Sequence, residues 1–287
     1  MKKTLIALAV AASAVSGMAH AWMNGDFTGL VNIGGTITAD DYRQKWAWQT
    51  GNELANFSAT LSKLTNSGTK LTLNVTSNSL ILMGKTNEAF AASAESGVGA
   101  IPVISFSDYQ NNPVQLTATG TAQQGVGTLT LPVKASDNDT VIGQAVVNVS
   151  YAGALLESKP NYTATLLRSV GLSDNASKSS IFKGGLLGSN QELNSGNAAA
   201  ARVAEFGGPS ANDLLTQVQV VHSNATSLKD NPNRAMGENM FHNDGTVLSA
   251  SYAIGVASGQ TIELTFNNAL TQTTQWSAPL NIAITYD

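Results

Sequence analysis

Few side chains in this chain of 287 residues are equipped for chemistry, and none stands in a catalytic spacing. His20 lies close to the N-terminus, in Ala19-His20-Ala21, which leaves His222 and His242. His242, with Glu238 and Asp244, offers the ligand types of a metal site, but the spacing matches no metal-binding motif and the surroundings read as an Asn- and Gly-containing loop. His222 follows Val221 in a helical pattern and is expected as a hydrogen-bonded or surface residue there. Asp40 and Asp41 suggest a carboxylate pair, yet neighbours on an extended chain point to opposite faces, so an acidic turn is expected instead. Gly84-Lys85-Thr86 ends like a phosphate-binding loop, but Ser79 stands where that loop needs its first glycine. With no cysteine there is no disulfide, thiolate metal centre or catalytic thiol, and no G-x-S-x-G elbow occurs. The expectation is a protein that is not an enzyme and holds no metal and no cofactor.

Binding is the remaining kind of chemistry. Trp46 and Trp48 are two apart, so an extended segment puts both on one face, as core or as a platform for sugar; core is favoured because so much apolar area is usually packed away. Charged residues make up only 12% of the chain, and the pI near 5.3 comes without any Lys/Arg cluster. A nucleic-acid partner is therefore excluded, since phosphate binding needs concentrated positive charge. A hydrophobic fraction of 43% is enough for a substantial core.

The elements that must position any site begin after a leader. Lys2 and Lys3, an apolar run from Leu5 to Val15, and Ala19-His20-Ala21 form a signal peptide over residues 1–21, with cleavage before Trp22. The product is expected to be exported. Phe27, Gly29, Val31, Ile33, Gly35 and Ile37 then alternate with mostly polar neighbours, the period-2 pattern of a half-buried strand. At the other end Trp276, Ala278, Leu280, Ile282, Ile284 and Tyr286 alternate in the same way, so a strand is predicted up to the last residue. Between them the pattern predicts strands over 70–76, 80–83, 103–106, 114–118, 127–133, 141–151, 246–256 and 261–266. Many short strands with Gly, Asn and Asp punctuation indicate a mainly β chain, an antiparallel sandwich or barrel.

Three helices are predicted. Leu54, Phe57, Leu61 and Leu64 have helical spacing; 198–206 is alanine-rich and stops at Gly207-Gly208; Ser210 with Asp213 forms a capping box before Leu214, Val218 and Val221. The Ser-, Asn- and Gly-rich stretch from Gly153 to Ser195 reads as an insertion of helices and loops on the β framework. Both terminal strands carry unpaired backbone groups and an apolar face, which natural proteins pair or hide. One arrangement satisfies both: a sandwich lacking its last strand, filled by the N-terminal strand of a neighbour, a head-to-tail contact that propagates into a filament. Pairing of the two strands within one chain satisfies them as well.

The leader, Trp22-Met23, Gly25-Asp26-Phe27, the run Ile37 to Trp46, Ser150-Tyr151-Ala152-Gly153, Ala198 to Arg202, and Gln275 to Asn281 with Ile284-Thr285-Tyr286 carry a family resemblance. Over its whole length the sequence resembles the major subunits of chaperone-usher fimbriae of the FaeG/ClpG type, the ClpG capsule-like surface antigens being the more similar. The resemblance implies an incomplete immunoglobulin-like sandwich over 38–287, completed by donor-strand complementation and carrying an inserted α/β subdomain at about 153–206. It assigns 22–37 as the donor strand, through Phe27, Gly29, Val31, Ile33 and Gly35, and makes Trp276, Leu280, Ile282, Ile284 and Tyr286 the groove strand that meets a periplasmic chaperone first. The implied partners are identical subunits in a fibre, that chaperone, an outer-membrane usher and host cell-surface glycans, and the implied location is an extracellular fimbrium reached through the periplasm. Within the insertion Tyr162, Arg168, Phe182 and Lys183 are the side chains best suited to a sugar. The alternative is a purely structural, capsule-like coat subunit without lectin activity.

Overall fold

The computed structural model describes residues 35–36, 40–136, 139–171, 181–187, 191–232, 235–236 and 239–287, the side chains of 235–236 excepted. The chain divides into two units, Met1–Thr38 and Ala39–Asp287. In the first, the leader and Phe27, Gly29, Val31 and Ile33 lie outside the described residues, while Gly35 is described and exposed. Everything below concerns the second unit.

It is mainly β. Its strands are Trp46–Gln49 (β1), Lys70–Asn74 (β2), Ser79–Thr86 (β3), Pro102–Asp108 (β4), Pro113–Val114 (β5), Thr117–Ala118 (β6), Val126–Ala135 (β7), Val141–Ser158 (β8) and Ala164–Gly171 (β9). The helices Gly196–Glu205 (α1) and Ala211–Val221 (α2) follow, and then Ser227–Asp230 (β10), Ala235–Met236 (β11), Val247–Val256 (β12), Thr261–Phe266 (β13), Trp276–Ser277 (β14) and Leu280–Tyr286 (β15).

The 18-residue β8 is the axis of the large sheet. Its first half pairs with β7 on one side and β13 on the other, and its second half pairs with β9 and β12. β2 continues the sheet beyond β13, and β3 and then β1 continue it beyond β12. All these pairings are antiparallel, whereas β10 and β11 add to β9 in parallel. Two short interruptions, Val75–Asn78 and Ala257–Gln260, face each other where the sheet passes from its lower to its upper half, tied by Gly259 N to Val75 O at 2.8 Å and Val75 N to Gln260 O at 3.0 Å.

Burial follows this division. In the lower half, the part formed by the first half of β8, one face meets water, so Gly143, Ala145, Val147 and Val149 are buried while Gln144, Val146 and Asn148 between them are partly or fully exposed. From Ser150 to Ser158 every residue is buried, because the aromatic core lies on one face and the helices on the other. Alternation vanishes where both faces are covered. The predicted insertion at Gly153 therefore begins in the middle of a continuous strand and shares that strand with the framework. α1 and α2 bury Ala199, Ala200, Val203, Leu214 and Val218 against Ala154, Leu156, Leu167 and Ala253. The predicted capping box at Ser210 and Asp213 is present. Val221, expected in its buried stripe, is 49% exposed instead, as the last residue of the helix.

The small sheet runs β15–β4–β5, with Lys183 bridging to Val103 beside β5. The single C-terminal strand expected from Trp276 to Tyr286 is broken at Ala278-Pro279. Trp276 pairs with Ala135 of the large sheet, and β15 then crosses to the small one, as strands do at a sandwich corner. The helix predicted over Leu54 to Leu64 does not form; the stretch is irregular, with one turn at Glu53-Leu54, closed by Ala55 N to Asn52 O at 3.3 Å, and another at Leu61–Lys63. None of the described helices is long and apolar enough to cross a membrane.

Candidate functional site

The groups that looked chemical are absorbed by structure. Asp41 accepts from Arg43 Nε at 2.9 Å and from the Arg43 backbone at 3.1 Å, contacts that hold its carboxyl down at about 2. Tyr42 Oη donates to Asp40 at 3.3 Å, so both acids serve the turn before β1. Gly84 and Lys85 belong to β3, where Gly84 lies under Trp48: a Cβ there would sit 2.2 Å from the ring. His222 Nδ1 shares a 2.9 Å hydrogen bond with Ser158 Oγ at the end of α2. His242 Nδ1 stands 3.9 Å from Asp244 Oδ1, and Glu238 lies outside the described residues.

Trp46 is core, as expected, and Trp48 packs against the core partly buried. Trp46 is 5% exposed and donates to Ala100 O at 2.9 Å; Trp48 stacks beside it and donates to Tyr286 Oη at 2.9 Å. Around them Phe182 and Tyr252 pack edge to face at centroid distances of 5.5–5.6 Å. Desolvation pushes the Tyr252 and Tyr151 phenols well above their usual range, so both stay neutral hydrogen-bond donors.

The four residues picked out for sugar are not brought together. Phe182 is 1% exposed, so its face is unavailable to any ligand; the Ser/Gly-rich surroundings concealed its place between Trp46 and Tyr252. Lys183 pairs with Asp287, and its backbone bonds to β4 through Ile104 N at 2.7 Å and Pro102 O at 3.1 Å. Arg168, on β9, is paired with Glu157 at 3.1 Å. Tyr162 alone presents its ring, 62% exposed in the loop before β9, with its carbonyl accepting from Asn224 at 3.1 Å.

What the second unit does present is an apolar groove of about 1450 Å³ between its two sheets. The floor is the inner face of the large sheet: Leu71, Leu129, Leu131, Ala145, Val147, Ile262 and Phe266. Period-2 alternation in β2, β7, β8 and β13 directs these side chains inward. One wall is the corner and first half of β15, from Gln272 to Ile282; the other is drawn from the irregular segment Thr50 to Leu61 with Leu64. The lining contains no charged side chain among the described residues.

β15 bonds to β4 on one edge, and its other edge pairs with no strand among the described residues. Leu280, Ile282, Ile284 and Tyr286 turn toward the core yet stay only partly buried, with Asn281, Ala283 and Thr285 exposed between them. Burial also raises the Tyr286 phenol, partly countered by the bond from Trp48. At the far end of β4, Asp108 accepts from Asn112 Nδ2 at 3.0 Å and from the backbone of Asn112 and Gln110 at 2.9 and 2.8 Å, which lowers its carboxyl and fixes the turn into β5. An unpaired strand edge beside an uncharged apolar trough has the chemistry of a receptor for another strand.

The wall from Thr50 to Leu64 is the part that sequence reasoning missed. The competing signal was present: Ala55, Phe57, Ala59 and Leu61 alternate with polar residues.

Comparison with known proteins gives the family. Residues 1–287 match the family described as "Fimbrial, major and minor subunit", of the K88 type. The chain is 53% identical to K88 fimbrial protein AD and 54% identical to K88 fimbrial protein AC of Escherichia coli, covering all of both chains in each case. It is 29% identical to the F41 fimbrial protein of Escherichia coli, again over the full length of both. The chain thus belongs to the K88 family of fimbrial subunits.

Proposed function

We propose that the chain is the polymerising major subunit of an adhesive fimbria, an immunoglobulin-like sandwich lacking its last strand and completed by the N-terminal strand of the next subunit. The observation that carries this reading is the groove of about 1450 Å³, apolar at its floor, flanked by an edge of β15 that pairs with no strand among the described residues. Phe27, Gly29, Val31, Ile33 and Gly35 supply the complementary strand, and the stretch from Phe27 to Ile37 is as free of charge as the groove. Before assembly the same edge, Leu280 to Tyr286 with Trp276 at the corner, is covered by a periplasmic chaperone. An outer-membrane usher then exchanges chaperone for donor strand, and the fibre reaches the cell surface.

Host glycans are the ligands in this reading, and the region at about 153–206, with Tyr162 exposed in the loop before β9, is their place. A second reading, a capsule-like coat subunit without lectin activity, is favoured by one observation: Arg168 and Lys183 are ion-paired and Phe182 is buried. Deleting residues 22–37 behind an intact leader tests the assembly claim. Export with no fibres is expected, and fibres of normal length would refute it. A glycan array probed with assembled fibres separates the two readings of the surface.

A further inference from the structure

The two helices do not cover the whole outer face of the large sheet. Where the sheet ends at β1, beside α2, they leave a notch of about 400 Å³, within the roughly 300–1,000 Å³ usual for small-molecule sites. Its floor is Ala47 of β1 and Met83 of β3; around them stand Gln49, Lys85, the loop Gly207-Gly208-Pro209, and Asp213 and Gln217 of α2. Met83 packs with the helices, so the notch lies on the face of the sheet opposite the groove, and a strand laid in the groove does not cover it.

The surround is fixed in place. The loop is tied to the end of α1 by Gly207 N to Ala204 O at 2.9 Å and Gly208 N to Val203 O at 3.1 Å. At position 208 only glycine fits, since a Cβ would stand 2.5 Å from Val203 Cγ1 and 3.1 Å from Met83 Sδ. Gln217 Oε1 accepts from Thr86 Oγ1 at 2.8 Å and Ser249 Oγ at 2.7 Å, and its Nε2 donates to Thr86 O at 2.7 Å, which leaves one N–H over. Asp213 Oδ2 accepts from Ser210 Oγ at 2.7 Å and Ser210 N at 2.8 Å, leaving Oδ1 without a donor among the described residues. Those bonds, and then the charge of Lys85, keep its carboxyl below the usual range. Lys85 itself is exposed and makes no hydrogen bond or ion pair among the described residues, and Gln49 donates only a long 3.5 Å bond to Met83 Sδ. Spare donors at Lys85, Gln49 and Gln217 thus face spare acceptors at Gln49 and Asp213 across an apolar floor.

Resting on the adhesive reading above, we infer that this notch is a saccharide subsite for an uncharged hexopyranose, a second seat apart from the Tyr162 region. A pyranose has an apolar C–H face to lay on Ala47 and Met83, and hydroxyls that both donate and accept to meet the polar surround. The one ammonium and the one carboxylate balance, so an acidic sugar that gains Lys85 also meets Asp213. Rigid walls hold the contacts ready without an ordering cost. Repetition along a fibre multiplies a weak single contact.

Met83 is a reporter at the floor. Fibres carrying isotope-labelled methionine methyl groups are titrated with methyl β-galactoside, methyl β-glucoside and methyl α-mannoside and followed by solid-state NMR. At least one glycoside should shift the Met83 signal saturably without moving Met240, which is buried in the core. Lys85→Leu should weaken that response about tenfold or more, the loss of a hydrogen bond to a charged group, and Ala47→Phe should abolish it by filling the floor. Tyr162→Ala should leave it unchanged, and all three variants should assemble in wild-type yield, since none of these residues lines the groove. If fibres bind an uncharged glycan on an array while the same sugar leaves Met83 unmoved, or if Lys85→Leu and Ala47→Phe respond like wild type, the subsite is overturned and the adhesive reading stands. Fibres that bind no sugar in either assay overturn both. A Met83 response to N-acetylneuraminic acid or glycine alone overturns the ligand class.

Discussion

Replacing Ile282 by aspartate separates folding from assembly, because the groove is open in one state and filled in the other. Ile282 lies opposite Phe106 in the β15–β4 pair and faces the groove, only partly buried. In the free subunit the new carboxylate can keep its water through the open mouth. The loss there is a part of one isoleucine's burial, below the roughly 1.5–3 kcal/mol of a fully buried side chain. Once a strand covers the groove, no cation among the lining residues can pair with it. A buried charge without a partner costs about 3–5 kcal/mol. At about 1.4 kcal/mol per decade, strand binding should weaken by some two to three and a half orders of magnitude. The neighbouring Ala283 is exposed on the opposite face of β15, so Ala283→Asp should change little, within about 0.5 kcal/mol. Fluorescence anisotropy with a labelled peptide of residues 22–37 measures the binding, and chemical denaturation of each free subunit measures the folding. Equal affinities for the two aspartate variants would refute the placement of the groove face.

Gly84→Ala puts a methyl group 2.2 Å from the Trp48 ring and should cost about 1–3 kcal/mol through overpacking; an unchanged thermal midpoint would show that the ring has room to move. Ser210→Ala removes the oxygen that caps Asp213 N and should cost about 0.5–2 kcal/mol, read as a lower denaturation midpoint, with no loss meaning that α2 is held by packing alone. Asp108 is held below the usual carboxylate range, so its contribution is complete above about pH 4, the unfolded value, and is lost as pH falls through the folded one. Asp108→Asn should therefore flatten the acid end of the stability profile, and an unchanged profile would assign that slope to other carboxylates.

How much the sequence reveals depends on what each face of an element meets. Strands with one wet face, such as β7 with Leu129, Leu131 and Val133 inward, alternate plainly and are predicted nearly to their ends. β8 is legible only to Tyr151, because both faces of its second half are buried and alternation disappears there, which also makes Gly153 look like a boundary. α2 is announced by its own cap, a local interaction three residues long. Leu54, Phe57, Leu61 and Leu64 fit a helical period while Ala55 to Ser62 fit a strand period, and spacing alone cannot arbitrate between them. The groove floor draws on four strands that are far apart in the chain, and Phe182 is buried by Trp46 and Tyr252 from two others. Such long-range assembly leaves no local mark. The strand edge of β15 was foreseeable from its alternation, but its separation from Trp276 turns on the corner at Pro279.

The central claim is that the groove of one copy holds the N-terminal strand of another, and the absence of cysteine makes it directly measurable. Val31→Cys combined in one chain with Leu280→Cys, Ile282→Cys or Ile284→Cys places the only two thiols on the proposed donor and on the groove edge. A disulfide requires Cβ atoms about 3.5–4.5 Å apart, so it forms only where the strands lie side by side. Non-reducing electrophoresis of fibres from such cells should give a ladder of covalent oligomers for one of the three pairs and collapse to monomer on reduction. A disulfide-bonded monomer without a ladder would mean that the two ends pair within one chain, and would contradict the account.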